Sequence, residues 1–129
     1  MNSEDYISWW IKTAEHDWKA VENMMKSKDY VHALFFSHLV LEKLLKAHWI
    51  KDNNNNHPPK IHNLQYLSSK INIVIAESDK NFLGQMNAFQ LEGRYPEYKA
   101  DIYKIYKLKK TKPIIERVNE IRKWLLQSI

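Results

Sequence analysis

Between residues 3 and 51 apolar side chains recur every three or four positions, with no glycine or proline to interrupt them. That spacing puts one face of a 3.6-residue-per-turn helix in contact with a core and is incompatible with the alternation of a half-buried strand. The first stretch, about Ser3 to Lys26, carries Ile7, Trp10, Ile11, Ala14, Trp18, Val21 and Met25 on its row. Ser3 or Asp5 is the expected cap. The second stretch, Tyr30 to Lys51, is wider. Ala33, Phe36, Val40, Leu44 and Ala47 form one row, and Leu34, Leu41, Leu45 and Trp49 spread onto the next face. A helix so broadly apolar sits centrally or meets a partner chain as well as its own core.

Residues 52–60 then break the pattern. Four asparagines, His57, Pro58 and Pro59 make a surface loop, too short to be a domain linker. A third helix is expected over about Asn63 to Ala76, on Leu64, Leu67, Ile71 and Val74, although Ile71–Ile75 reads equally well as extended chain. A fourth, capped by Ser78 or Asp79, carries Phe82, Leu83, Met86 and Phe89 and ends at Gly93. Gly93 is one of only two glycines in 129 residues, and Pro96 follows it closely. Glycine closes helices and proline prevents their continuation, so Arg94 and Tyr95 belong at a turn. There the planar guanidinium of Arg94 can meet a phosphate, or pair with Glu92 or Glu97. Residues 99–108 read as a short or irregular helix. Thr111 and Pro113 open the last one, with Ile114, Val118, Ile121 and Leu125 on one face. The expected fold is all-α, a single domain over residues 1–129, in an antiparallel up-and-down bundle of four to five helices.

Composition narrows the class. A hydrophobic fraction of 44% suffices for one core, and no apolar run approaches the ~18 residues of a membrane span. The polar, acidic start differs from a signal peptide, and the lack of cysteine excludes thiolate metal sites and disulfides. Together these point to the cytoplasm. Charge is uneven: residues 99–123 hold nine Lys/Arg against three Asp/Glu, while the rest is near balance. Such a surface is either a solvated helix face or an attractor of RNA, nucleotides or acidic proteins.

Chemistry-bearing motifs are sparse. No His-Glu-x-x-His pattern, glycine-rich phosphate loop or nucleophile elbow occurs. His16, His32, His38 and His48 read as ordinary helical histidines. His62 precedes a helix start, where its ring could cap backbone donors or touch an anion. Tyr95, Tyr98, Tyr103 and Tyr106 crowd the arginine turn and could stack on bases.

Taken in order, these segments resemble the HEPN family. Ala14-x-x-Asp17-Trp18-x-Ala20 is similar to its first-helix signature. Tyr30-x-x-Ala33-x-Phe35 with Glu42-Lys43-x-x-Lys46-Ala47 resembles its second. Pro58-Pro59-x-x-His62-Asn63-Leu64-x-x-Leu67 resembles its approach to the third helix, and Arg94-Tyr95-Pro96 its arginine motif. The tail from Tyr103 to Leu125 resembles small stand-alone bacterial members. The resemblance implies a helical bundle that dimerises, paired with a minimal nucleotidyltransferase, and needing no metal or cofactor. Many members are ribonucleases in toxin–antitoxin pairs, using an arginine followed after four to six residues by a histidine. Here those positions are Lys99, Ala100 and Asp101, so the resemblance carries over Arg94 as an anion contact and leaves ribonuclease activity open. The expected ligand-binding set is Arg94, Tyr95, Lys46, His62 and Tyr103, around a nucleotide or RNA phosphate. A module serving assembly alone is the remaining alternative.

Overall fold

A computed structural model describes residues 2–90 and 102–129 of the chain. The described residues are helical, with no strand. Helix α1, Ser3–Lys26, is started by Asn2: its side chain accepts from the Asp5 amide while Asp5 accepts from the Asn2 amide. This reciprocal capping box satisfies two donors that the helix start leaves unpaired. The cap is therefore Asn2, one residue ahead of the expected Ser3, and Asp5 supplies the return bond. Lys28, in the left-handed region at φ 64°, reverses the chain into α2, Tyr30–Asn53. The two helices pack as an antiparallel hairpin, pinned by a Lys43–Asp17 ion pair of 2.6 Å.

Helix α2 is buried along most of its circumference, with Phe35, Phe36, Leu39 and Trp49 half-buried. Leu34, Leu41, Leu44 and Leu45 are each within 1% of full burial, and Ser37, Glu42, Lys46 and His48 are buried beside them. The helix therefore sits centrally in the bundle, as one half of the expectation has it. Asn54, at φ 48°, ends it; asparagine tolerates this conformation better than most residues.

After the proline loop, α3 is only Leu64–Ser68, far short of the expected Asn63–Ala76. Ser68 and Ser69 turn their hydroxyls back onto the carbonyls of Gln65 and Tyr66, an alternative to helix propagation. The β-branched run that follows has weak helical preference, and Asp52 takes the Asn72 amide instead. Ile71 and Ile75 reach the core, but Val74, expected there, is 90% exposed. Helix α4, Glu77–Met86, starts from Ala76 rather than from Ser78 or Asp79. It tightens into a 3-10 turn, Asn87–Phe89, before the position of Gly93. Gly93, Arg94, Tyr95 and Pro96 lie outside the described residues.

A helical turn over 102–105 leads to α5, Leu108–Gln127. This helix begins before Thr111 and carries Pro113 inside it, on an exposed face. Tyr106, edge-on to Phe89 at 5.1 Å, and the buried Thr111 fix where the chain joins the core, overriding the local proline signal. His48 Nε2 meets the Leu125 carbonyl at 2.8 Å and Lys51 reaches Ser128, so α5 runs alongside α2 in the same direction. Ile115, Val118, Ile121 and Leu125 close the core.

Leu44→Ala is expected to lower unfolding free energy by about 2–5 kcal/mol in urea titration, whereas Val74→Ala should change it by no more than about 0.5 kcal/mol.

Candidate functional site

Three side chains, two from α2 and one from just before α3, converge on one carboxylate. Glu42, buried on α2, accepts from Lys46 Nζ at 3.1 Å through Oε2. Its Oε1 lies 3.0 Å from His62 Nδ1 and 3.8 Å from His38 Nδ1. His38, Glu42 and Lys46 are four residues apart, so one helix face presents all three. His62 is delivered from the far side of the proline loop.

Asn87 holds the second wall. Its Oδ1 accepts the Leu64 amide at 3.0 Å and lies 3.4 Å from His38 Nε2. Its Nδ2 donates to Asn63 Oδ1, which also caps α3 at the Tyr66 amide. Asn63 thus does the capping expected of His62, and the His62 ring turns to Glu42 instead. An Nδ1–H donated to the carboxylate fixes the tautomer whose Nε2 carries the basic lone pair. Burial pushes the His38 pKa below the ordinary 6.5, against the raising effects of Glu42, Asn87 and the His62 backbone. Burial likewise lowers His48, opposed by its bond to Leu125.

Beside the Glu42–His62 pair opens a cavity of about 490 Å³. Phe35, Phe36, Phe89 and Tyr103 supply its aromatic lining, and His38, Glu42 and His62 its polar lining. Gln90 and Ile102, the described residues that bracket 91–101, both line it too. Of the expected ligand-binding set, His62 and Tyr103 therefore share this cavity. Lys46 does not line it. It sits behind Glu42, 5% exposed, and borders a second cavity with Trp10, whose ring centroid is 5.5 Å from the ammonium. Arg94 and Tyr95 lie outside the described residues.

The profile of the HEPN domain matches residues 7–129, almost the whole chain. The chain belongs to the HEPN family. Comparison with curated proteins and with solved structures gave no match. No helix among the described residues is long and apolar enough to cross a membrane, and no three His, Asp or Glu among them are grouped to hold a metal.

Sequence reading of this HEPN chain missed His38, Glu42 and Asn87 as site residues. The signal available for the first two was the spacing His38-x-x-x-Glu42-x-x-x-Lys46, polar groups on a helix otherwise apolar all round. Nothing local marked Asn87, whose part depends on where α4 ends.

Lys46→Met, which strands a buried carboxylate, should cost about 3–5 kcal/mol in urea titration, and adding Glu42→Leu should restore much of it. Acidification has a defined sign. With His38 and His48 depressed when folded, the unfolded chain binds more protons below 6.5. The stability held above that pH is then lost as pH falls through the folded-state values. Urea midpoints should drop from pH 7 to pH 5, with a shallower drop in His48→Gln.

Proposed function

We propose that this HEPN-domain protein binds a nucleotide or an RNA phosphate group, the base held in the aromatic cavity and the phosphate met by Arg94. The observation that carries the reading is the cavity lining itself. Aromatic faces stack any base at about 1–3 kcal/mol each, and His62, Glu42 and Gln90 add polar groups to the lining. Gln90 and Ile102, the described residues on either side of the sequence bearing Arg94 and Tyr95, both border the cavity. Lys104, Lys107, Lys109, Lys110 and Lys112, all exposed, extend positive charge along the approach to α5. In this reading the protein is a small stand-alone member that works as a homodimer beside a minimal nucleotidyltransferase in a toxin–antitoxin-like pair.

A second reading, metal-independent endoribonuclease, is favoured by one specific contact. The 3.0 Å Glu42–His62 pair is the orienting arrangement of a general base. His62 then supplies the histidine absent after Arg94. Its Nε2 takes the ribose 2′-hydroxyl proton as that oxygen attacks phosphorus. The 5′-oxygen leaves with a proton, and a 2′,3′-cyclic phosphate forms. A module serving assembly alone has less support, since most of the apolar girth of α2, Leu34, Leu41, Leu44 and Leu45 among it, is spent on the core of its own chain.

Labelled single-stranded RNA titrated with the protein in chelator tests both. Anisotropy should report binding that Arg94→Ala and Phe36→Ala each weaken at least about tenfold, matching the loss of one stacking or charged contact. Equal affinity in both variants and the wild type would rule out this cavity. Cyclic-phosphate ends that disappear in His62→Ala would establish the second reading, and intact RNA under the same conditions would exclude it.

A further inference from the structure

Asn87 lines neither cavity, yet its side chain reaches groups that decide how the first one is furnished. It stands at the end of α4 between Met86 and Phe89, which are buried in the core. Its backbone is therefore held, and its carbonyl closes the 3-10 turn by accepting the Gln90 amide at 3.2 Å. From that base Oδ1 accepts the Leu64 amide at 3.0 Å, and Nδ2 donates to Asn63 Oδ1 at 3.1 Å. Those partners belong to the two residues that follow His62. Turning the amide over would set Nδ2 against the Leu64 N–H and Oδ1 against the Asn63 oxygen, so the two bonds fix its orientation. Asn63 cannot turn over to suit a flipped partner, because the same oxygen caps α3 at the Tyr66 amide.

Little else holds the ring that follows from this. The His62 side chain is 39% exposed, so packing leaves it room to turn. Among the described residues, the hydrogen bonds of residues 57–61 are local, His57 N–H to Asn55 Oδ1 and Ile61 N–H to Pro59. The chain ahead of His62 is thus tied to itself, and the chain behind it is tied to Asn87. The same Oδ1 lies 3.4 Å from His38 Nε2, so that nitrogen faces an acceptor and carries the ring proton.

We propose that Asn87 is a positioning residue for the first cavity: it clamps the start of α3 so that His62 points at Glu42, and it keeps the His38 proton on Nε2. This deepens the ligand-binding reading of that cavity and rests on it, although both rings can be observed with no ligand present.

Nitrogen-15 chemical shifts of the two rings in the ligand-free full chain, read for their uncharged forms, test the clamp beside RNA anisotropy. Wild type should carry its protons on His62 Nδ1 and His38 Nε2. Asn87→Ala should average the His62 tautomers, move the His38 proton off Nε2 and weaken single-stranded RNA binding about tenfold. Asn63→Asp, which still caps α3 and still accepts from Asn87, should keep both wild-type ring patterns. Val118→Ala, a core truncation on α5, should lower the urea midpoint and move neither ring. If Asn87→Ala does not fold, Asn87→Asp, which keeps the acceptor and loses the Nδ2 donor, should still release His62. Wild-type ring patterns in the Asn87 variants, the same ring changes in Val118→Ala, or wild-type RNA affinity with released rings would each overturn the proposal. Rings released by Asn87→Ala in a protein that binds no RNA would uphold the clamp and end the ligand reading instead.

Discussion

A carboxylate in the middle of the central helix governs this molecule. Glu42 is 5% exposed on a helix whose neighbours are leucines, and a charge placed there is costly unless it is met by donors of opposite sign. Lys46 meets one oxygen from the next turn, and His62 meets the other from across the proline loop. Satisfying Glu42 therefore does more than offset a burial penalty. It ties the loop to α2, aims an imidazole into a cavity and keeps an ammonium at the floor of the other.

The two cavities follow from that arrangement. On one side the partners of the carboxylate are imidazoles, groups able to move protons near neutral pH, framed by phenylalanines. On the other side lies the ammonium, framed by tryptophans and proline. A single i, i+4 pair thus lends its carboxylate to the lining of one cavity and its ammonium to that of the other. The lysines between residues 104 and 112 stand apart from both, as a charged approach.

Much of the scaffold was legible because α1 and α2 run without a breaker and repeat at helical spacing. Their bounds came within two residues of those expected. Legibility failed where local pattern competed with contacts distant in sequence. Ile71 and Ile75 kept their places in the core without a helix, because Asp52 and the serine hydroxyls claimed the backbone. Pro113 entered a helix because Phe89 and Tyr106 had already set its path. At the site, His62 was recognisable from its setting before α3, but its partner was not, since twenty residues separate it from Glu42. Asn87 was silent for the same reason. Gly93 and Pro96 had singled out Arg94 at a turn, and the family resemblance added an arginine motif to that reading.

The most direct measurement is the nitrogen-15 chemical shifts of the His62 ring in labelled protein, read for its uncharged form. Custody of this imidazole by Glu42 predicts a single protonated Nδ1 and an unprotonated Nε2. A ring that averages between tautomers, or carries its proton on Nε2, would contradict it, and the buried carboxylate would then organise neither cavity.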